Sequence, residues 1–133
     1  MKTLIALSVV SVLLLGCVSF PMPTEEDLTR TFPQQAREVF HAVRAALAEV
    51  GCESIEGDLK SGYLSAQREE FLGIGNCMFY RVKFLEDPQA LSTVVSVDIY
   101  LRDCKAIVAL RARAYKQDFD EFWAAVQANL LAK

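Results

Sequence analysis

Residues 76–101, NCMFYRVKFLEDPQALSTVVSVDIYL, decide the fold. Asn76 to Leu85 and Thr93 to Leu101 are both rich in aromatic and β-branched residues, and Glu86-Asp87-Pro88-Gln89 separates them. A period of two sends successive side chains to opposite faces of a strand. A short polar connection containing proline turns the chain back. The stretch therefore predicts an antiparallel hairpin. By parity, Met78, Tyr80, Val82 and Phe84 share one face with Val95, Val97, Ile99 and Leu101. The other face carries Phe79, Arg81 and Lys83, then Val94, Ser96, Asp98 and Tyr100.

The same period extends outward. Leu28 to Phe32, Cys52 to Gly57, Gly62 to Glu69 and Lys105 to Tyr115 read as further strands, with Asp58-Leu59-Lys60-Ser61 and Arg102-Asp103 as polar turns. In the last strand Val108, Leu110, Ala112 and Ala114 join the apolar face, and Ile107, Arg111, Arg113 and Tyr115 the opposite one. Leu72-Gly73-Ile74-Gly75-Asn76 lacks the third glycine and the strand-then-helix setting of a nucleotide loop, and reads as a hairpin turn. Short connections make antiparallel neighbours, so the expected sheet is a meander of five to six strands with the first strand closing one edge.

Two segments keep a helical period instead. Ala36, Val39, Phe40, Val43, Leu47 and Val50 recur at three- and four-residue spacing, with Pro33 suited to the entry and Gly51 to the C-terminal cap. Phe119, Phe122, Trp123, Val126 and Leu130 form a second stripe, introduced by Asp118 as N-cap and Glu121 three residues on. Two apolar helix faces need one apolar sheet face, which predicts a two-layer α+β sandwich with both helices on one side. His41, beside the stripe and without a second histidine, reads as a solvated helix residue.

The N-terminus follows another logic. Met1 and Lys2 begin it, Thr3 to Leu15 are apolar or small, and Leu14-Leu15-Gly16-Cys17 closes it. These thirteen residues would span roughly 20 Å as a helix, short of the roughly 30 Å hydrocarbon core of a bilayer. The order of a basic start, an apolar run and a small residue before cysteine resembles a bacterial lipoprotein signal. That resemblance implies cleavage of residues 1–16, lipidation at Cys17 and anchoring of the mature protein to a membrane through lipid. Val18 follows the cysteine where enteric lipoproteins kept in the inner membrane carry aspartate, so the same resemblance implies the periplasmic face of the outer membrane. Residues 17–27, with Pro21, Pro23 and Glu25-Glu26, read as the lipidated N-terminus and a tether, and residues 28–133 as a single domain.

The chain carries a net charge of −3, and no Lys/Arg cluster in its sequence suggests nucleic-acid binding. Serines have no histidine placed to activate them, and Glu69-Glu70 and Asp120-Glu121 have no partner that suggests paired acid and base roles, so the residues point away from catalysis and name no cofactor. The polar sheet face has two readings. One is a solvated surface with cross-strand ion pairs such as Asp98 with Arg81 or Arg111. The other is a shallow cationic and aromatic surface, with Arg81, Lys83, Tyr100, Arg111 and Arg113 as candidate partner-binding residues.

The remaining cysteines are Cys52, Cys77 and Cys104. The meander places all three near one end of the sheet, and Cys77 and Cys104 on adjacent strands, which makes them the candidate disulfide of an oxidising compartment. Cys52 is then left over after the helix cap. No pair has the close spacing of zinc motifs and no Cys-x-x-Cys occurs, so neither a metal nor a thiol-redox centre is expected.

Phe32-Pro33 entering the first helix, Val50-Gly51-Cys52 leaving it, and Asp58-Leu59-Lys60-Ser61-Gly62-Tyr63-Leu64 in the first hairpin together resemble the helix-grip domains of small envelope lipoproteins. One relative of that kind is the lipoprotein C subunit of the outer-membrane β-barrel assembly machine. The resemblance spans most of residues 28–131 and implies non-enzymatic binding of an envelope protein partner. A carrier or sensor that holds a small amphiphile between helix and sheet is the alternative function.

Overall fold

The computed structural model describes residues 21–69, 76–105 and 111–132. The expectations about the signal segment, Cys17, the 72–75 turn, and Ile107, Val108 and Leu110 lie outside them. The fold is α+β. Its elements are α1 (Glu25–Leu28), β1 (Thr29–Phe32), α2 (Ala36–Glu49), β2 (Ser54–Asp58), β3 (Tyr63–Glu69), β4 (Asn76–Asp87), β5 (Ser92–Asp103), β6 (Arg111–Arg113) and α3 (Lys116–Leu131).

The sheet is antiparallel and runs β1-β5-β4-β3-β2, with β6 also pairing β5. The β4–β5 hairpin is longer than its sequence pattern suggests, extending to the pair Asp87 with Ser92. Its turn is tied by Asp87 Oδ1, which accepts from Gln89 N at 3.1 Å and Ala90 N at 3.3 Å. In the first hairpin Ser61 N donates to Asp58 Oδ1 at 2.7 Å, an Asx-type closure that also holds the Asp58 carboxyl below the usual carboxylate range. Gly57 lies at φ +126°, and a Cβ there would meet Tyr63 O at 2.1 Å. Only glycine fits that hairpin.

β1 and β6 share one edge of β5. The first covers Thr93 to Ser96 and the second Tyr100 to Arg102. Of the predicted strand Lys105–Tyr115, residues 106–110 lie outside the described residues and Arg111–Arg113 is strand, whereas Lys105 lies in a turn after Asp103, whose Oδ1 accepts from Lys105 N at 3.1 Å, and Ala114 and Tyr115 follow the strand. Ala114 is fully buried as expected, but Ala112 is exposed, because β6 sits at the sheet's margin.

Both longer helices pack on the same sheet face. Val39, Phe40, Val43 and Leu47 of α2 join Phe119, Phe122, Trp123 and Val126 of α3 in one cluster with Leu64, Tyr80, Val82, Val95, Val97 and Ile99. Tyr80, Phe119, Phe122 and Trp123 are all less than 2 % exposed and fill the space between helices and sheet. Burying such rings contributes most of the core energy, with about 1 kcal/mol more from well-oriented aromatic pairs such as Phe122–Trp123 at 4.9 Å. Arg68 of β3 ties the layers at one end, donating to Val50 O at the end of α2 and lying over the Tyr80 ring. Gly51 follows at φ +101°, the left-handed cap expected there.

Two local readings need correction. The segment read as a tether up to Asp27 is docked on the last helix over its described residues: Pro21 O accepts from Lys116 N at 3.1 Å, Thr24 N and Oγ1 donate to Asp27 Oδ2, Lys116 Nζ donates to Asp27 Oδ1 at 3.0 Å, and Trp123 Nε1 donates to Asp27 O. Asp27 is 3 % exposed, so a single acidic helical turn is held by α3 rather than by its own periodicity. The last helix also begins earlier than predicted, at Lys116. Asp118 is its third residue and reaches back, accepting from Tyr115 N at 3.2 Å.

Candidate functional site

The sheet face turned away from the helices is set by the register. Phe79 lies directly opposite Tyr100, Arg81 opposite Asp98 and Lys83 opposite Ser96, while Arg113 of β6 lies opposite Tyr100 on its other side. On the flanks, Tyr63 of β3 is opposite Lys83 and Thr29 of β1 opposite Ser96.

Two features occupy this face. The first is a row of stacked groups. Phe79 and Tyr100 stack at 5.4 Å with an 11° interplanar angle, Arg102 covers Phe79 at 5.4 Å, and Arg81 covers Tyr100 at 5.5 Å. Each cation over a ring contributes about 0.5–1 kcal/mol at an exposed site. The second is a recess of about 390 Å³ beside that row. Arg81, Lys83 and Arg113 bring three cations to it, Tyr63, Thr29 and Ser96 bring hydroxyls, and Asp98 brings one carboxylate.

The sequence-predicted ion pair of Asp98 with Arg81 is not formed. Arg81 turns over Tyr100 instead, and among the described residues no ion pair within 4.0 Å includes either partner. Arg81, Lys83 and Arg113 do converge on one recess, with Tyr100 stacked alongside. Arg111 sits opposite Arg102 in the register, and its side chain is outside the described residues. Tyr63 and Thr29 were missed; continuing the parity through Tyr63, Ser65 and Gln67 would have found the first.

The edge of the recess is positioned by the docked N-terminal turn. Thr24 N–H and Lys116 hold the Asp27 carboxyl below its usual range against the opposing effect of burial, and the bonds to Asp27 and Asp120 raise Lys116. At the opposite end of the face, Cys77 and Cys104 are joined, with Sγ–Sγ 1.98 Å and Cα–Cα 4.9 Å. Cys52 is a free, buried thiol pushed up to about 11 by burial. His41 is exposed on α2 with its ring edge-on to Phe40 at 5.9 Å.

No helix among the described residues is long and apolar enough to cross a membrane. No family model matches the chain, and no curated protein matches it either. What the geometry defines is an α+β domain with one covered and one open sheet face, the open one offering cations, hydroxyls and stacked rings.

Proposed function

We propose that this protein is a lipid-anchored, non-enzymatic component of the bacterial cell envelope that binds a protein partner through its open sheet face. The anchor is Cys17, left as the first residue after residues 1–16 are removed, and the place is the periplasmic face of the outer membrane. Support for the address comes from the basic start, apolar run and Gly16-Cys17 ending. The Cys77–Cys104 pair suits an oxidising compartment. Two helices on one face of an antiparallel sheet are compatible with the helix-grip lipoproteins that the sequence resembles.

One observation carries the binding role: Arg81, Lys83 and Arg113 converge beside the Phe79–Tyr100 stack in a chain whose net charge is −3. Positive charge gathered on one uncovered face of an acidic protein steers and orients an acidic partner, and arginine and tyrosine are the side chains that anchor interfaces. The filled helix–sheet space favours this face over an internal groove as the binding surface.

The test is co-purification of the tagged full chain from its native envelope. Arg81→Glu, Arg111→Glu and Arg113→Glu combined are expected to lose the partner while the protein stays membrane-bound. Cys17→Ser is expected to release it from the membrane fraction. A partner that persists through the three reversals sinks the sheet-face reading.

A further inference from the structure

The open face carries a break that sharpens what it binds. β1 pairs β5 only as far as Ser96, and β6 pairs it only from Tyr100, with Ala114 N donating to Ile99 O. Between them Val97 and Asp98 line the recess, at a notch in the edge of the sheet. Leu28 and Thr29 flank one side of the notch and Arg113 the other. Arg81 and Lys83 lie two residues apart on β4, about 7 Å, and Arg113, opposite Tyr100, stands two strands across and two residues along from Arg81, about 12 Å.

That spacing matches an extended chain better than a compact anion. Carboxylates two residues apart on an extended peptide repeat at about 7 Å on one face. One phosphate meets all three cations only if three long side chains bend to a single point and give up their rotamer freedom. Resting on the partner-binding reading of this face, we propose that the recess seats an extended acidic segment of the partner, entering through the notch. Carboxylates pair with Lys83 and Arg81 on one side of Asp98 and with Arg113 on the other. Phe79, half-buried two residues from Arg81, is the ring that meets a neighbouring apolar or aromatic side chain of the same segment, Tyr100 being only 3 % exposed. Asp98, itself half-buried at the centre, opposes this occupant and sets its register.

The probe is a fluorescein-labelled peptide, SESESFSE, whose glutamates and phenylalanine share one face when extended, titrated into the full chain in detergent and read by anisotropy. Binding is expected to weaken as salt rises from about 50 to about 500 mM. The triple variant R81Q/K83Q/R113Q is expected to bind about tenfold more weakly. R37Q/R44Q, on the exposed side of α2, should change nothing. D98N should bind roughly two- to fivefold more tightly. Arg113→Lys, which keeps the charge, should retain most of the affinity and guards against a folding artefact. Equal binding by the triple variant, or displacement by inorganic phosphate as effective as by unlabelled peptide at matched ionic strength, overturns the proposal. If the native partner still depends on Arg81, Arg111 and Arg113 while the peptide does not bind, the face is right and the acidic segment is wrong.

Discussion

Removing the Cys77–Cys104 link has an effect whose size can be worked from the structure. The bond joins residues 27 apart in sequence. In the chain-entropy account a loop of that length restricts the unfolded ensemble by about 12 cal/mol/K, or about 3.5 kcal/mol at 25 °C. Against a total stability of about 5–15 kcal/mol that is a large share. It corresponds to a fall of roughly 10–20 °C in Tm for a domain of this size. The link also bears on the binding face, because Cys77 lies opposite Arg102, which covers Phe79. The assay is thermal unfolding by circular dichroism of Cys17→Ser protein, with and without reductant, beside the Cys77→Ala/Cys104→Ala variant. Alkylation under denaturing conditions should label Cys52 alone before reduction and all three cysteines after it. If reduction exposes both thiols and Tm moves by less than about 3 °C, the entropic reasoning is wrong. If all three thiols react without reductant, there is no bond to reason about.

Other perturbations have defined outcomes. Gly57→Ala forces a Cβ to 2.1 Å from Tyr63 O at φ +126° and should cost at least about 2 kcal/mol in urea unfolding, whereas Gly51→Ala, whose nearest neighbour is 3.7 Å away, should cost only the left-handed strain of about 1 kcal/mol. Asp27 has its folded pKa below the unfolded value, so its contribution is full above about pH 4 and is lost as pH falls through the lower folded value; Asp27→Asn should be less stable at neutral pH and show a shallower acid slope below pH 4. Cys52, buried and pushed up to about 11, should resist iodoacetamide at pH 8 in the folded protein and react on addition of urea.

Much of the fold was legible because its signals are local and long. Two strands of 12 residues and a helix with a continuous apolar stripe leave few alternatives for parity or period. The Cys77–Cys104 pair followed from strand adjacency alone. What sequence could not supply was decided by distant residues. The turn Glu25–Leu28 has no apolar period of its own and is held by Lys116 and Trp123, 89 and 96 residues from Asp27. Asp118 reads equally as an N-cap or as the third helical residue, since either position sets a carboxylate near unsatisfied N–H groups. At the candidate site, parity gave the face and most of its cations. The recess itself needed the pairing of β1 and β6 along one edge of β5, which brings Thr29 and Arg113 to either side of Val97, and no pattern within one segment records that.

The central claim, that the open sheet face is the working surface, is tested most directly by site-specific photo-crosslinking in the native envelope. A photoreactive phenylalanine analogue at position 63 or 83, on the open face, should give a discrete adduct with one partner protein. The same analogue at position 44, exposed on α2, should give none. An adduct from position 44 with none from 63 or 83 would mean that the helices, not the sheet, meet the partner.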